Sequence, residues 1–195
     1  MSQEHFKGKY EVELKFRVRD KDAFYRVLNS MNHQVMVDEN QETDWYFDTP
    51  EHSLKQQGKT VSIREMEPSG IKLWIVKGPE FDRCEATNIT DSSNARSMLE
   101  NMGYQIRMIT RKVRSIYFVG AFHITFDQLA NIGQFAEFAI MTDDESALDN
   151  YRRELEALAA QFGLTEHDRE HQSYLTMWSE LDEKTSISSD RSIHP

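Results

Sequence analysis

Glu11-Val-Glu-Leu-Lys15 sets three ionisable side chains at alternate positions. In an extended strand all three project from one face, joined by Arg17 and Arg19, while Tyr10, Val12, Leu14, Phe16 and Val18 take the other. Taken alone, such a polar face meets water. The same oddity recurs, however. Arg64 follows Val61-Ser-Ile, and Lys77 ends Leu73-Trp-Ile-Val. Lys112 and Arg114 share a strand face, Asp127 closes Phe122-His-Ile-Thr-Phe, and Glu137 interrupts an otherwise core-like run, Phe135–Met141. A lone carboxylate in such a run is costly unless paired or metal-bound. If these strands close on themselves, four carboxylates (Glu11, Glu13, Asp127, Glu137) and five cations (Lys15, Arg64, Lys77, Lys112, Arg114) line one cavity. Carboxylate oxygens suit Mg²⁺ or Mn²⁺. Lys and Arg at several angles suit a polyphosphate. Together they fit phosphoryl or nucleotidyl transfer. The same residues also suit a structural ion-pair network without catalysis.

The elements that must position them are legible in outline. Beyond the first strand, nine segments read as strands: 34–37, 41–47, 60–65, 71–77, 84–89, 104–110, 112–119, 122–127 and 135–141. Asp48-Thr-Pro, Pro68-Ser-Gly and Gly78-Pro punctuate them, and Gly120-Ala121 marks a tight hairpin. Phe24, Val27, Leu28 and Met31 form one helical stripe over about 20–32, with Asp20 placed to cap it. Ala95, Met98, Leu99 and Met102 form a second, ended by Gly103. A third helix follows Thr142-Asp-Asp-Glu to about Phe162, and a short fourth covers about 170–180. Many antiparallel strands with few edges predict an α+β fold, a closed or nearly closed β-barrel with helices outside. Residues 1–180 read as one domain, and 181–195 as a disordered tail.

Composition narrows the classes. With 33 acidic and 23 basic residues the net charge is −10, which argues against nucleic-acid binding. No apolar run approaches a membrane span, and the start carries no apolar signal region. One cysteine, Cys84, fits a reducing, cytoplasmic setting and no nucleophilic triad. The seven histidines lack metal-ligand spacing and read as solvated surface. No phosphate-binding glycine loop is present.

Glu11-Val-Glu-Leu-Lys15 matches the ExExK signature of the CYTH domain, the triphosphate tunnel metalloenzymes, and Arg64, Lys77, Glu85, Lys112-x-Arg114, Asp127 and Glu137 follow in that family's order. Segments 8–18, 64–79, 83–89, 114–125 and 135–144 resemble the class IV adenylyl cyclases within it. The resemblance implies an eight-stranded antiparallel tunnel, a homodimer, and conversion of ATP to 3′,5′-cyclic AMP and pyrophosphate by attack of the ribose 3′-oxygen on the α-phosphate. By position it implies Glu11, Glu13, Asp127 and Glu137 as ligands for Mg²⁺ or Mn²⁺, with Asp127 a ligand or an orienter behind the ligands. Lys15, Arg64, Lys77, Lys112 and Arg114 would grip the triphosphate, and Glu11, Glu13, Lys15, Lys112 and Arg114 would be catalytic. Arg17, Arg83 and Glu85 are expected as further tunnel lining. Two other functions stay open: hydrolysis of inorganic, thiamine or nucleoside triphosphate, and non-catalytic polyphosphate or nucleotide binding.

Overall fold

The structure is a computed structural model that describes residues 5–190, of which 183–190 are described by backbone alone. In chain order the elements are β1 (Tyr10–Arg17), α1 (Lys21–Ser30), β2 (Gln34–Asp48), α2 (Ser53–Gln56), β3 (Thr60–Glu67), β4 (Ile71–Lys77), β5 (Cys84–Asn88) and α3 (Ser92–Asn101). Then follow β6 (Gln105–Val119), β7 (Phe122–Leu129), β8 (Gly133–Thr142), α4 (Leu148–Gln161) and α5 (Tyr174–Asp190). The ten strand segments expected from sequence thus become eight. Segments 34–37 and 41–47 are one strand, β2, whose ladder to β6 shifts register around Val37 and Asn40, where Glu39 takes a φ of 46°. Segments 104–110 and 112–119 likewise run together as β6. Helix α5 continues to Asp190, past the boundary near 180 drawn from composition, and 191–195 lie outside the described residues.

All eight strands pair antiparallel in one sheet, in the order β1-β8-β7-β6-β2-β3-β4-β5. The sheet is strongly curled, yet it is not the closed barrel that the sequence suggests. Among the described residues no ladder joins the edge strands β1 and β5; an isolated bridge links Tyr10 to Arg83, the residue just ahead of β5. The reason lies in how the edge of β1 is used. Near its start, Glu11 N donates to Asp82 O (2.7 Å) and Cys84 N donates to Lys9 O (2.9 Å). Near its end, Phe16 bridges Arg169 and Glu170 N donates to Lys15 O (2.9 Å). Two short segments occupy this edge, and β5, only five residues long, leaves most of its own edge exposed.

The convex face carries the apolar core. Val12, Leu14 and Phe16 of β1, with Phe126 and Phe138, pack under α1 and α4 through Phe24, Leu28, Leu155, Ala159 and Phe162. A second cluster sets Phe47, Val61 and Ile63 against Leu54 of α2 and Ala95 and Leu99 of α3, with Trp45 and Trp74 at its margin. Asp20 and Asp91 cap α1 and α3 by accepting from Ala23 N (2.8 Å) and Asn94 N (2.9 Å). Strand alternation therefore sends Glu11, Glu13 and Lys15 to the concave side. Among the described residues no helix is long and apolar enough to cross a membrane.

Leu155 is fully buried between α4 and the sheet. Leu155→Ala is expected to cost about 2–5 kcal/mol by leaving a cavity, read as a lower urea midpoint at unchanged slope. A midpoint like that of the unsubstituted protein would contradict the packing described.

Candidate active site

Register places charge opposite charge along the concave face. Lys15 faces Glu137, Arg114 faces Asp127, Lys112 faces Glu42, and Arg64 faces Asp44. Arg114 is the hub on one side. Its Nε and Nη2 donate to Asp127 (2.6 Å each), and Nη2 also donates to Glu137 (2.6 Å). Arg64 forms the second hub, with Nε to Asp44 at 2.7 Å and Nη2 to Glu42 at 3.1 Å. Lys112 bonds Glu42 and lies 3.4 Å from Asp44. Lys77, half-exposed, pairs with Glu11 at 2.9 Å and lies 3.9 Å from Glu13. Lys15 lies 3.9 Å from Glu137 and 4.2 Å from the Tyr174 ring centre.

The five expected cations thus converge on one face, as do Glu11, Glu13, Asp127 and Glu137. Glu42 and Asp44, both 1% exposed, complete the cluster and were missed from sequence. The signal was available. Asn40, Glu42 and Asp44 alternate with Gln41, Thr43 and Trp45, and Trp45 belongs to the convex core. His123 and Tyr174 were missed as well. His123, expected on the surface, is 3% exposed with Nε2 3.7 Å from Glu11. Tyr174, at the start of α5, donates its hydroxyl to Asp127 (2.7 Å).

The three residues expected as further lining take different places. Glu85 pairs in register with Val76, which packs on the convex core, so it faces away from Lys77 and pairs with Arg83 at 2.8 Å. Arg83 sits at the bridge between edge strands and borders a cavity of about 110 Å³ shared with Glu11, Glu13 and Lys77. Arg17 lies over Phe135 and ties the β7–β8 turn, through Ile132 O (3.1 Å), to the post-α4 segment, through Glu170 (3.0 Å).

The carboxylates differ in how they are neutralised. Burial raises the Glu42 carboxyl, but Arg114, Arg64 and Lys112 outweigh it and hold the group well below its usual range. Glu11 is likewise raised by burial and brought far down by Lys77 and His123. Glu13 goes the other way. Burial and the neighbouring Glu137 carboxylate push it up to about 7, against the pull of Lys77. Burial raises Glu137 as well, but Arg114 and Lys15 outweigh it and hold that carboxyl below its usual range. Glu13 is thus the incompletely neutralised member beside the Glu137 carboxylate, a setting that suits a hard divalent cation. The wider four-carboxylate set does not assemble. Among the described residues no three His, Cys, Asp or Glu side chains converge as a metal cluster. Asp127 is fully buried, with both oxygens engaged by Arg114 and one also by Tyr174, so its geometry is that of an orienter of Arg114.

The CYTH domain profile matches residues 9–174, from just ahead of β1 to the first residue of α5. The chain belongs to the CYTH domain family. It is 56% identical to Adenylate cyclase CyaB of Aeromonas hydrophila, over 91% of this chain and 93% of that protein. A structure described as a putative adenylate cyclase from Vibrio parahaemolyticus superposes with a TM-score of 0.87 at 60% identity, covering 89% of this chain and 99% of the other. A more distant CYTH-like fold is a putative adenylyl cyclase from Hippeastrum, described as having a dominant triphosphatase activity, with a TM-score of 0.59 at 14% identity over 87% of this chain and 95% of that one.

The raised Glu13 carboxyl carries a pH signature. Its folded pKa, about 7, lies above the ordinary 4.5, so the folded state holds the extra proton between those values. Stability from this group is present at low pH and is lost as pH rises from about 4.5 to 7. Glu13→Gln, in chelator, is expected to remove a stability change of about 3 kcal/mol across that window, read from melting temperature against pH. Identical slopes in both proteins would contradict the Glu13–Glu137 repulsion.

Proposed function

We propose that this protein is a divalent-metal-dependent adenylate cyclase that converts ATP to 3′,5′-cyclic AMP and pyrophosphate on the concave face of the sheet. The observation that carries it is the convergence of Lys15, Arg64, Lys77, Lys112 and Arg114 on that face beside the under-neutralised Glu13 and the neighbouring Glu137 carboxylate. The likeness to a named adenylate cyclase over nearly the whole of both chains supports the choice of reaction.

The cations hold the triphosphate, which takes over as their counter-ion from Glu11, Glu42 and Asp44. Arg114 is held in a fixed orientation by Asp127, and Lys15 and Lys112 flank the Tyr174 ring at 4.2 and 5.3 Å. Their charges are therefore already in place as pyrophosphate leaves, which is the electrostatic part of the rate. In the bond exchange, the ribose 3′-oxygen joins the α-phosphorus and the bond from that phosphorus to the pyrophosphate oxygen breaks. The hydroxyl proton is released, and no side chain stands out as a dedicated base for it. Glu13 and Glu137 would hold Mg²⁺ or Mn²⁺. The bound ion supplies neutralisation of the phosphate oxygens and acidification of the 3′-hydroxyl. A homodimer in the cytoplasm belongs to the same proposal, and sedimentation as a monomer alone would remove the dimer.

A triphosphatase would use the same grips with water as nucleophile at a terminal phosphate, and a binding module would use them with no product. Incubating the protein with ATP and Mg²⁺ or Mn²⁺ separates the three. The cyclase reading predicts cyclic AMP and pyrophosphate in equal amounts, lost in Glu13→Gln. ADP and phosphate would move the function to triphosphate hydrolysis. Near-normal cyclisation by Glu13→Gln would sink the assignment of Glu13.

A further inference from the structure

A separate cavity lies on the convex side of the sheet, away from the charged face. It holds about 330 Å³ and opens between α1 and the β2–β6 ladder. A β-bulge shapes its floor. Between the pairs Val37–Ile116 and Asn40–Arg114, two residues of β2, Asp38 and Glu39, oppose one of β6, Ser115. Strict alternation would send Asp38 and Glu39 to opposite faces, whereas the bulge lets both carboxylates border one cavity. Ser115 fastens them: its Oγ donates to Asp38 Oδ1 (3.0 Å) and accepts from Glu39 N (2.9 Å). One wall is aromatic. Tyr117 meets Tyr25 at 83° and His33 at 81°, with ring centres 6.1 and 5.8 Å apart. The Tyr117 hydroxyl lies 3.2 Å from that of Tyr25 and donates to Asp38 Oδ1 at 3.4 Å. None of these residues belongs to the charged cluster.

This lining offers acceptors far more than donors. Asp38 Oδ2 has no partner among the described residues. The carbonyl of Met31, which can only accept, lies 3.2 Å from His33 Nδ1. The neutral ring therefore carries its proton on Nδ1 and keeps Nε2 as an acceptor. Of the lining residues only Lys21 is cationic, and its ammonium lies 3.9 Å from Glu39 and 5.7 Å from the Tyr25 ring centre. An ammonium of the chain itself thus already uses carboxylate and ring together. We propose that this cavity binds a linear aliphatic polyamine. An ammonium group carries three donors and no acceptor, the complement of this lining. Phenol faces attract a cation, and the methylene chain covers the rings and Val35, which is 56% exposed at the cavity edge. Two adjacent carboxylates favour a ligand with more than one positive charge. A bare divalent ion fits less well, because among the described residues no three acidic or histidine side chains converge on one point.

The test is calorimetric titration with spermidine at about 150 mM salt, where general attraction to a net charge of −10 is screened beyond about 8 Å. Asp38→Asn is expected to weaken spermidine roughly tenfold, as loss of a charged hydrogen bond requires. Glu100→Gln removes the same charge from an exposed position on α3 and is expected to leave binding within about twofold. Butylamine, with a single ammonium, is expected to bind roughly tenfold more weakly than spermidine. Equal effects of the two substitutions, no binding by the unsubstituted protein, or butylamine as tight as spermidine overturns the proposal. Amide shifts in the NMR spectrum of the unsubstituted protein give a readout free of folding defects. Shifts on adding spermidine at His33, Asp38, Glu39 and Ser115 support the site. Shifts confined to other residues, those of the concave face included, overturn it.

Discussion

A charged side chain removed from water costs several kcal/mol unless a counter-ion stands beside it, and one concave face holds Lys15, Lys112 and Arg114 buried among Glu42, Asp44, Asp127 and Glu137. Every part of the fold serves that pairing. Antiparallel register sets Lys112 opposite Glu42 and Arg114 opposite Asp127, so the backbone ladder itself enforces the neutralisation. The same pairing makes the face poor at packing helices, and α1, α3 and α4 accordingly lie on the convex side. Only α5 reaches inward, through Tyr174, whose phenol gives Asp127 a further hydrogen bond and whose ring offers its face to Lys15.

Such an arrangement is a weak source of stability, because an apolar replacement of equal volume is often neutral or better. On the proposed function its value lies in exchange: a polyanion would take the place of the acidic partners of Lys77, Lys112 and Arg64, while Asp127 keeps Arg114 aligned. Glu13 is the member least satisfied by this network, and that is why it points to a cation beside Glu137. The net charge of −10 belongs to the molecule as a whole, and the basic cluster is sheltered inside it.

Much of this was legible in the sequence. The alternation from Tyr10 to Arg17 announced both faces of β1, and the cations interrupting apolar strands announced a shared charged surface. The closed barrel was not legible correctly, because which segment takes the edge of β1 depends on Asp82, Arg169 and Glu170, distant residues with no local signal. Glu85 was misplaced because strand parity at Arg83–Glu85 turns on the β4–β5 register, which the turn at Gly78-Pro sets. Glu42 and Asp44 were hidden by their ordinary appearance as acids in a strand, and their role appears only once Arg64 and Lys112 flank them on neighbouring strands. His123 was legible by alternation, since it shares strand parity with Asp127 four residues on, but its residue type alone suggested a surface position.

On the proposed function the paired cations form a seat for a triphosphate, with a metal at Glu13 and Glu137. A crystal structure with inorganic triphosphate and Mn²⁺ tests it most directly, with manganese located by its anomalous scattering. The account predicts manganese between Glu13 and Glu137, with the phosphate chain reaching Lys15, Arg64, Lys77, Lys112 and Arg114. Triphosphate or manganese held elsewhere, with Arg114 still bound to Glu137 and Lys112 to Glu42, would contradict it.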